Sequence, residues 1–127
     1  MKLLPVAIVV VVLSLAGCAS APTSSLTGTG TFATADDLRA AFVAAGGTCG
    51  EWEQKDTVAL ALTSGYCNGD TTIQVFDSVA KRDRFITDQE TILDATIPLL
   101  VGPNWVVNTP SAEKYAGALG GTITVGS

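Results

Sequence analysis

Two glutamates flank a tryptophan at Glu51-Trp52-Glu53, with Asp56 close behind and Asp70 further on, and these acids are the chain's first candidates for chemistry. Paired carboxylates can cleave a glycosidic bond or hold calcium through oxygen ligands. On an extended strand, however, alternation sends both glutamates to one side and Trp52 to the other. That is the pattern of a half-buried strand with a solvated face. An EF-hand starting at Asn68 is excluded, because no glycine stands at its sixth position and no glutamate at its twelfth. Ser111-Ala112-Glu113-Lys114 has the spacing that lets a lysine activate a serine, but it follows Pro110 in an ordinary helix-start context and lacks the companion motifs of such enzymes.

Composition narrows the chemistry further. The chain has no histidine, which removes Ser-His-Asp and Cys-His arrangements, HExxH zinc sites and the usual neutral-pH proton carrier. Gly28-Thr29-Gly30 and Gly46-Gly47 are not phosphate loops, since no strand precedes the first and no lysine follows either. No catalytic residue, metal site or cofactor is expected. The 127 residues suit one domain, and a formal net charge of −5 argues against nucleic acid as a partner.

The elements that must position any site are legible in outline. Thr34 reads as the N-cap of a helix with Leu38, Ala41, Phe42 and Ala45 on one face, stopped by Gly46-Gly47. Glu51 to Gln54 is a short extended piece. Val58 to Cys67 and Asp70 to Phe76 flank Asn68-Gly69, a strong hairpin signal. Asp77 or Ser78 caps a second helix to about Asp94, with Val79, Ile86 and Leu93 repeating every seven residues, Phe85 and Ile92 widening the stripe, and Lys81, Asp83, Arg84 and Asp88 opposite. Ile97 to Val101 and Trp105 to Val107 bracket Gly102-Pro103-Asn104 as a second hairpin. Thr109, with Pro110 at the first helical position, opens a third helix that buries Ala112, Tyr115, Ala116 and Leu119 and ends at Gly120-Gly121. Thr122 to Val125 is a last strand. The order predicts an α+β sandwich, about three helices covering one face of a largely antiparallel sheet, over residues 34–127.

The N-terminus carries a different signal. Lys2 precedes a mostly aliphatic run from Leu3 to Leu15, too short to span a membrane and ending in small residues. This is the layout of a secretory signal peptide over residues 1–17. Leu15-Ala16-Gly17-Cys18 resembles the lipobox of bacterial lipoproteins, with every position in place. The resemblance implies cleavage between Gly17 and Cys18, diacylglycerol on the Cys18 sulfur, and a mature protein on the extracytoplasmic side of the cell membrane, held by its lipidated first residue. Two acyl chains hold a protein firmly, where one does so only marginally. The Ser-, Thr-, Gly- and Ala-rich stretch that follows reads as a flexible tether, so that residues 18–33 form lipid attachment and spacer.

With Cys18 committed to lipid, Cys49 and Cys67 are the only thiols left, and an even pair in an exported domain is expected to form a disulfide. The expected function is a non-enzymatic, lipid-anchored envelope protein whose domain binds another protein or an envelope component. Small lipoproteins of high-GC Gram-positive bacteria, and of phages that alter the host surface, are similar in this design. Trp105, beside the Pro103-Asn104 turn, and Trp52 are the candidate partner-binding residues; core packing is the competing reading for Trp105, since its strands read as buried. The alternatives are a small wall-polymer hydrolase using Glu51, Glu53 or Asp70, and a passive structural lipoprotein.

Overall fold

The computed structural model describes residues 30–93 and 98–125. The leader, Cys18 and the spacer up to Thr29 lie outside the described residues, as do the expected helix end at Asp94 and the expected strand start at Ile97.

Among the described residues, three helices and six strands follow in the order α1 (Ala35–Ala44), β1 (Trp52–Gln54), β2 (Thr63–Cys67), β3 (Thr71–Val75), α2 (Val79–Leu93), β4 (Leu99–Val101), β5 (Trp105–Asn108), α3 (Glu113–Leu119) and β6 (Thr122–Thr124). The strands form one antiparallel sheet in the order β1-β2-β3-β5-β4-β6. The fold is α+β, as its sequence of elements predicts.

Local signals account for much of this. The Thr34 side chain accepts from the Asp37 N–H and caps α1. Asn68 and Gly69 both take positive φ, 53° and 77°, as a tight turn between β2 and β3 requires. Asn68 also ties down the segment ahead of β1, accepting from the Glu51 N–H at 2.9 Å and donating to the Thr48 carbonyl at 3.1 Å. The Cys49–Cys67 disulfide closes beside it, with 4.8 Å between Cα atoms.

The helices do not share one face, which corrects the expectation above. Along β5, Trp105 and Val107 pack with Ile73, Leu100, Leu38 and Phe42 beneath α1 and α3, whereas Val106 packs with Leu99, Phe76 and Phe85 of α2 on the other side. A run buried on both sides reads as continuously apolar, and Trp105-Val106-Val107 is such a run. Two layers of helix therefore enclose the centre of the sheet.

Three further expectations shift, and the choice between Asp77 and Ser78 as a cap is decided. Residues 58–62 are irregular rather than the start of β2, because Asp56 captures the Ser64 N–H at 3.0 Å and Leu60 adopts a φ of 73°. In α2, Ser78 is the cap, accepting from the Lys81 N–H at 3.2 Å, while Asp77 pairs with the Lys81 ammonium. The wide apolar stripe narrows to Phe85 and Ile86, leaving Val79 and Ile92 53% and 73% exposed. Helix α3 begins at Glu113 rather than at Pro110: the Thr109 hydroxyl is committed to Thr71 at 2.7 Å in the interior, and Ser111 turns to a φ of 57°.

The spacer boundary moves as well. Phe32, placed by composition in the tether, is buried in the core, and its N–H donates to Asn104 Oδ1 at 3.0 Å. Asn104 Nδ2 returns a bond to the Phe32 carbonyl at 2.8 Å, and Trp105 Nε1 donates to the Gly30 carbonyl at 3.2 Å.

Candidate functional site

The first site candidate, Trp105, is fully buried, and Gly102 is pressed against its indole. As a partner anchor it is therefore corrected: its ring fills the space beneath α1 and α3 and never reaches the surface. Trp52 is half-buried. Its ring lies over Gly65, where a Cβ would overlap the indole, and the Arg39 guanidinium stands 5.3 Å from the ring centre.

Of the acids, Glu51 and Glu53 stay together while Asp56 and Asp70 lie apart from them. Glu51 and Glu53 are exposed along the outer edge of β1, in a shallow depression shared with Lys55 and Tyr66. Asp56 is occupied structurally, accepting from the Ser64 N–H and from Gln54 Nε2. Asp70 accepts from the Thr71 hydroxyl next to it, at the β2–β3 turn. Ser111 and Lys114 are joined only through the backbone, where the Lys114 N–H meets the Ser111 carbonyl at 3.0 Å. Among the described residues no cluster of acids and cysteines is arranged to hold a metal ion, and no helix is long and apolar enough to cross a membrane.

A different place collects unused hydrogen-bonding groups. Helix α2 covers Val106 and Leu99 but leaves the neighbouring part of the same sheet face open, and a groove of about 380 Å³ runs there. It is smaller than the depression beside β1, about 530 Å³, so its lining rather than its size sets it apart. Its floor is built by register: Tyr66 of β2, Thr72 of β3 and Asn108 of β5 stand opposite one another in one row, and Gln74 follows two residues on from Thr72, on the same face. One wall is the α2 face carrying Phe85, Asp88, Gln89 and Ile92, at the helical spacing i, i+3, i+4 and i+7. The other is the irregular segment Val58 to Leu60.

Two features mark the groove. Gln74 is 2% exposed, yet its Oε1 has no hydrogen-bond partner. A buried carbonyl left unpaired costs roughly 1–3 kcal/mol, so the fold carries this group at a loss. Leu60 on the rim holds a left-handed backbone that costs a side-chain-bearing residue about 1–2 kcal/mol. Leu60 and Ile92 are 38% and 73% exposed, so the rim is apolar while the floor is polar and uncharged. The one charged lining residue, Asp88, is paired with Arg84 at 2.9 Å.

None of these groove residues carries a sequence motif. The one available signal is Gln74 itself, a carboxamide inside the otherwise apolar stretch Ile73 to Phe76. No protein-family model matches the chain, and no curated protein or solved structure matches it either.

Proposed function

We propose that this chain is a lipid-anchored envelope protein, facing the extracytoplasmic side, whose small domain binds an envelope component without transforming it. The observation that carries the binding role is Gln74, a buried side chain lining the groove with its Oε1 unpartnered, on a face that α2 only half covers. The lipobox residues Leu15 to Cys18 support the anchor, and the acidic charge supports a partner other than nucleic acid.

The way the chain enters the domain is consistent with that arrangement. Gly30 is held at the Trp105 end of β5, while the row Tyr66, Thr72, Asn108 lies three residues further along the strands, roughly 10 Å away. A spacer from Cys18 to Gly30 reaches at most about 40 Å when extended. The floor row would thus stand beyond the point of attachment along the strands, with Gln74, which pairs with Val106, nearer to it.

The test places a photo-crosslinking amino acid at position 92, in the groove rim, and at position 43, on the exposed side of α1, in the full chain expressed in cells. Adducts at 92 that are absent at 43, and that disappear with Cys18→Ala, are expected. Equal labelling at both positions, or none at 92, would refute the reading. Metabolic incorporation of a fatty-acid analogue, lost in Cys18→Ala, checks the anchor separately.

A further inference from the structure

We infer that the groove between α2 and the sheet takes a neutral sugar of the N-acetylated amino-sugar type, bound across Tyr66, Thr72, Gln74 and Asn108. This rests on the reading of the groove as the binding site, and it follows from what the lining can and cannot offer.

The floor belongs to β2, β3 and β5, strands whose backbone groups are already paired on both sides. An extended peptide therefore has no free strand edge here on which to add itself. Recognition has to come from side chains. Those on the floor are two hydroxyls and two carboxamides, and they stand on adjacent strands about 4.8 Å apart. That pitch suits hydroxyls on opposite sides of a six-membered sugar ring. Gln89 adds a third carboxamide from the α2 wall.

Charge points the same way. Asp88 is the one charged lining residue and sits 41% exposed at the surface beside Arg84, so the groove offers no cation for an acidic ligand and no buried carboxylate for a basic one. The acetamido group follows from Gln74 and its neighbours. Oε1 is covered in the free protein, so the Gln74 amide turns into the groove to meet an N–H donor, and the methyl beside that N–H meets the apolar side chains of Phe85, Leu60 and Ile92. A hydroxyl alone would satisfy Gln74 but leave the apolar rim unused.

The experiment measures binding of N,N′-diacetylchitobiose, cellobiose and N-acetyl-leucinamide to the full chain, by saturation-transfer NMR and equilibrium dialysis, with Gln74→Leu and Asn108→Ala beside the wild type. Saturable binding of the diacetyl sugar, about tenfold weaker in each variant, is expected. Gln74→Leu serves as its own folding control, because removing an unpaired buried amide should leave its melting temperature unchanged or higher. Cellobiose binding as well as the diacetyl sugar would overturn the acetamido assignment. Binding of the leucinamide alone, weakened by Gln74→Leu, would overturn the sugar class while keeping the groove as a binding site. Failure of all three probes overturns the proposal, and crosslinked adducts at position 92 then show whether the broader binding role survives it.

Discussion

Gly102 and Trp105 are matched to one another: a Cβ on Gly102 would overlap the indole Cε2, while the Gly102 N–H donates to the Trp105 carbonyl at 2.9 Å. The tight turn between β4 and β5 thus doubles as the surface against which the largest buried side chain packs. Gly102→Ala forces the ring or the turn to move. It is expected to lower stability by about 1–3 kcal/mol, with Trp105→Ala costing about 3–5 kcal/mol. Urea denaturation of the two variants checks both values, and a Gly102→Ala protein as stable as wild type would contradict the packing.

Asn104 works as a clamp on the start of the domain. It holds both the N–H and the carbonyl of Phe32, and also donates to the Phe76 carbonyl at 3.3 Å. Asn104→Ala is expected to destabilise by about 1–3 kcal/mol, since it leaves buried backbone groups unpaired. Limited proteolysis should then cut near Phe32 faster than in the wild type. Asn104→Asp keeps the acceptor for the Phe32 N–H but sets an anionic oxygen against the Phe32 and Phe76 carbonyls, so it should cost at least as much as Asn104→Ala.

Thr71 and Thr109 share one hydroxyl pair at 2.7 Å in the interior. Converting Thr71 to valine strands the Thr109 hydroxyl, at an expected cost of about 1–3 kcal/mol, whereas Thr109→Val leaves Thr71 its bond to Asp70 and should cost less, and the double valine variant should come closer to wild type than Thr71→Val alone. A double-mutant cycle by thermal unfolding reads this directly. Additive losses would mean that the pair contributes nothing as a pair.

The Cys49–Cys67 bond closes a sequence separation of 18 residues and ties the lead-in to β1 to the end of β2. In the chain-entropy treatment such a closure stabilises by about 3 kcal/mol. Reduction, or Cys49→Ala with Cys67→Ala, should lower the melting temperature accordingly. Thiol titration of the purified protein should find both cysteines oxidised.

Leu60 supplies a sharper comparison, since its φ of 73° is one that glycine adopts freely. Leu60→Gly should recover about 1 kcal/mol of that strain while removing an apolar wall of the groove. The expected pattern is unchanged or raised stability with weakened crosslinking at position 92.

What the sequence determined by itself is local. The Thr34 cap, the Asn68-Gly69 turn, the glycine stops after α1 and α3 and the short extended piece around Trp52 depend on backbone preferences within a few residues, and all are found where those preferences place them. The disulfide pairing was legible from cysteine arithmetic, given a lipid on Cys18. The tertiary structure alone decided the rest, because it depends on which residues far apart in sequence meet. Composition marks the segment from Gly30 to Ala33 as spacer, but Asn104 and Trp105 lie more than seventy positions away and supply the bonds that draw this segment in. Periodicity gives α2 an apolar stripe, but how much of the stripe is buried depends on how far the sheet extends beneath it, so Ile92 stays open. The groove exists only because strand register sets Tyr66, Thr72 and Asn108 in one row and α2 stops short of covering that row. No window of sequence contains that coincidence, since it joins three strands and a helix through contacts that form only when the chain has folded.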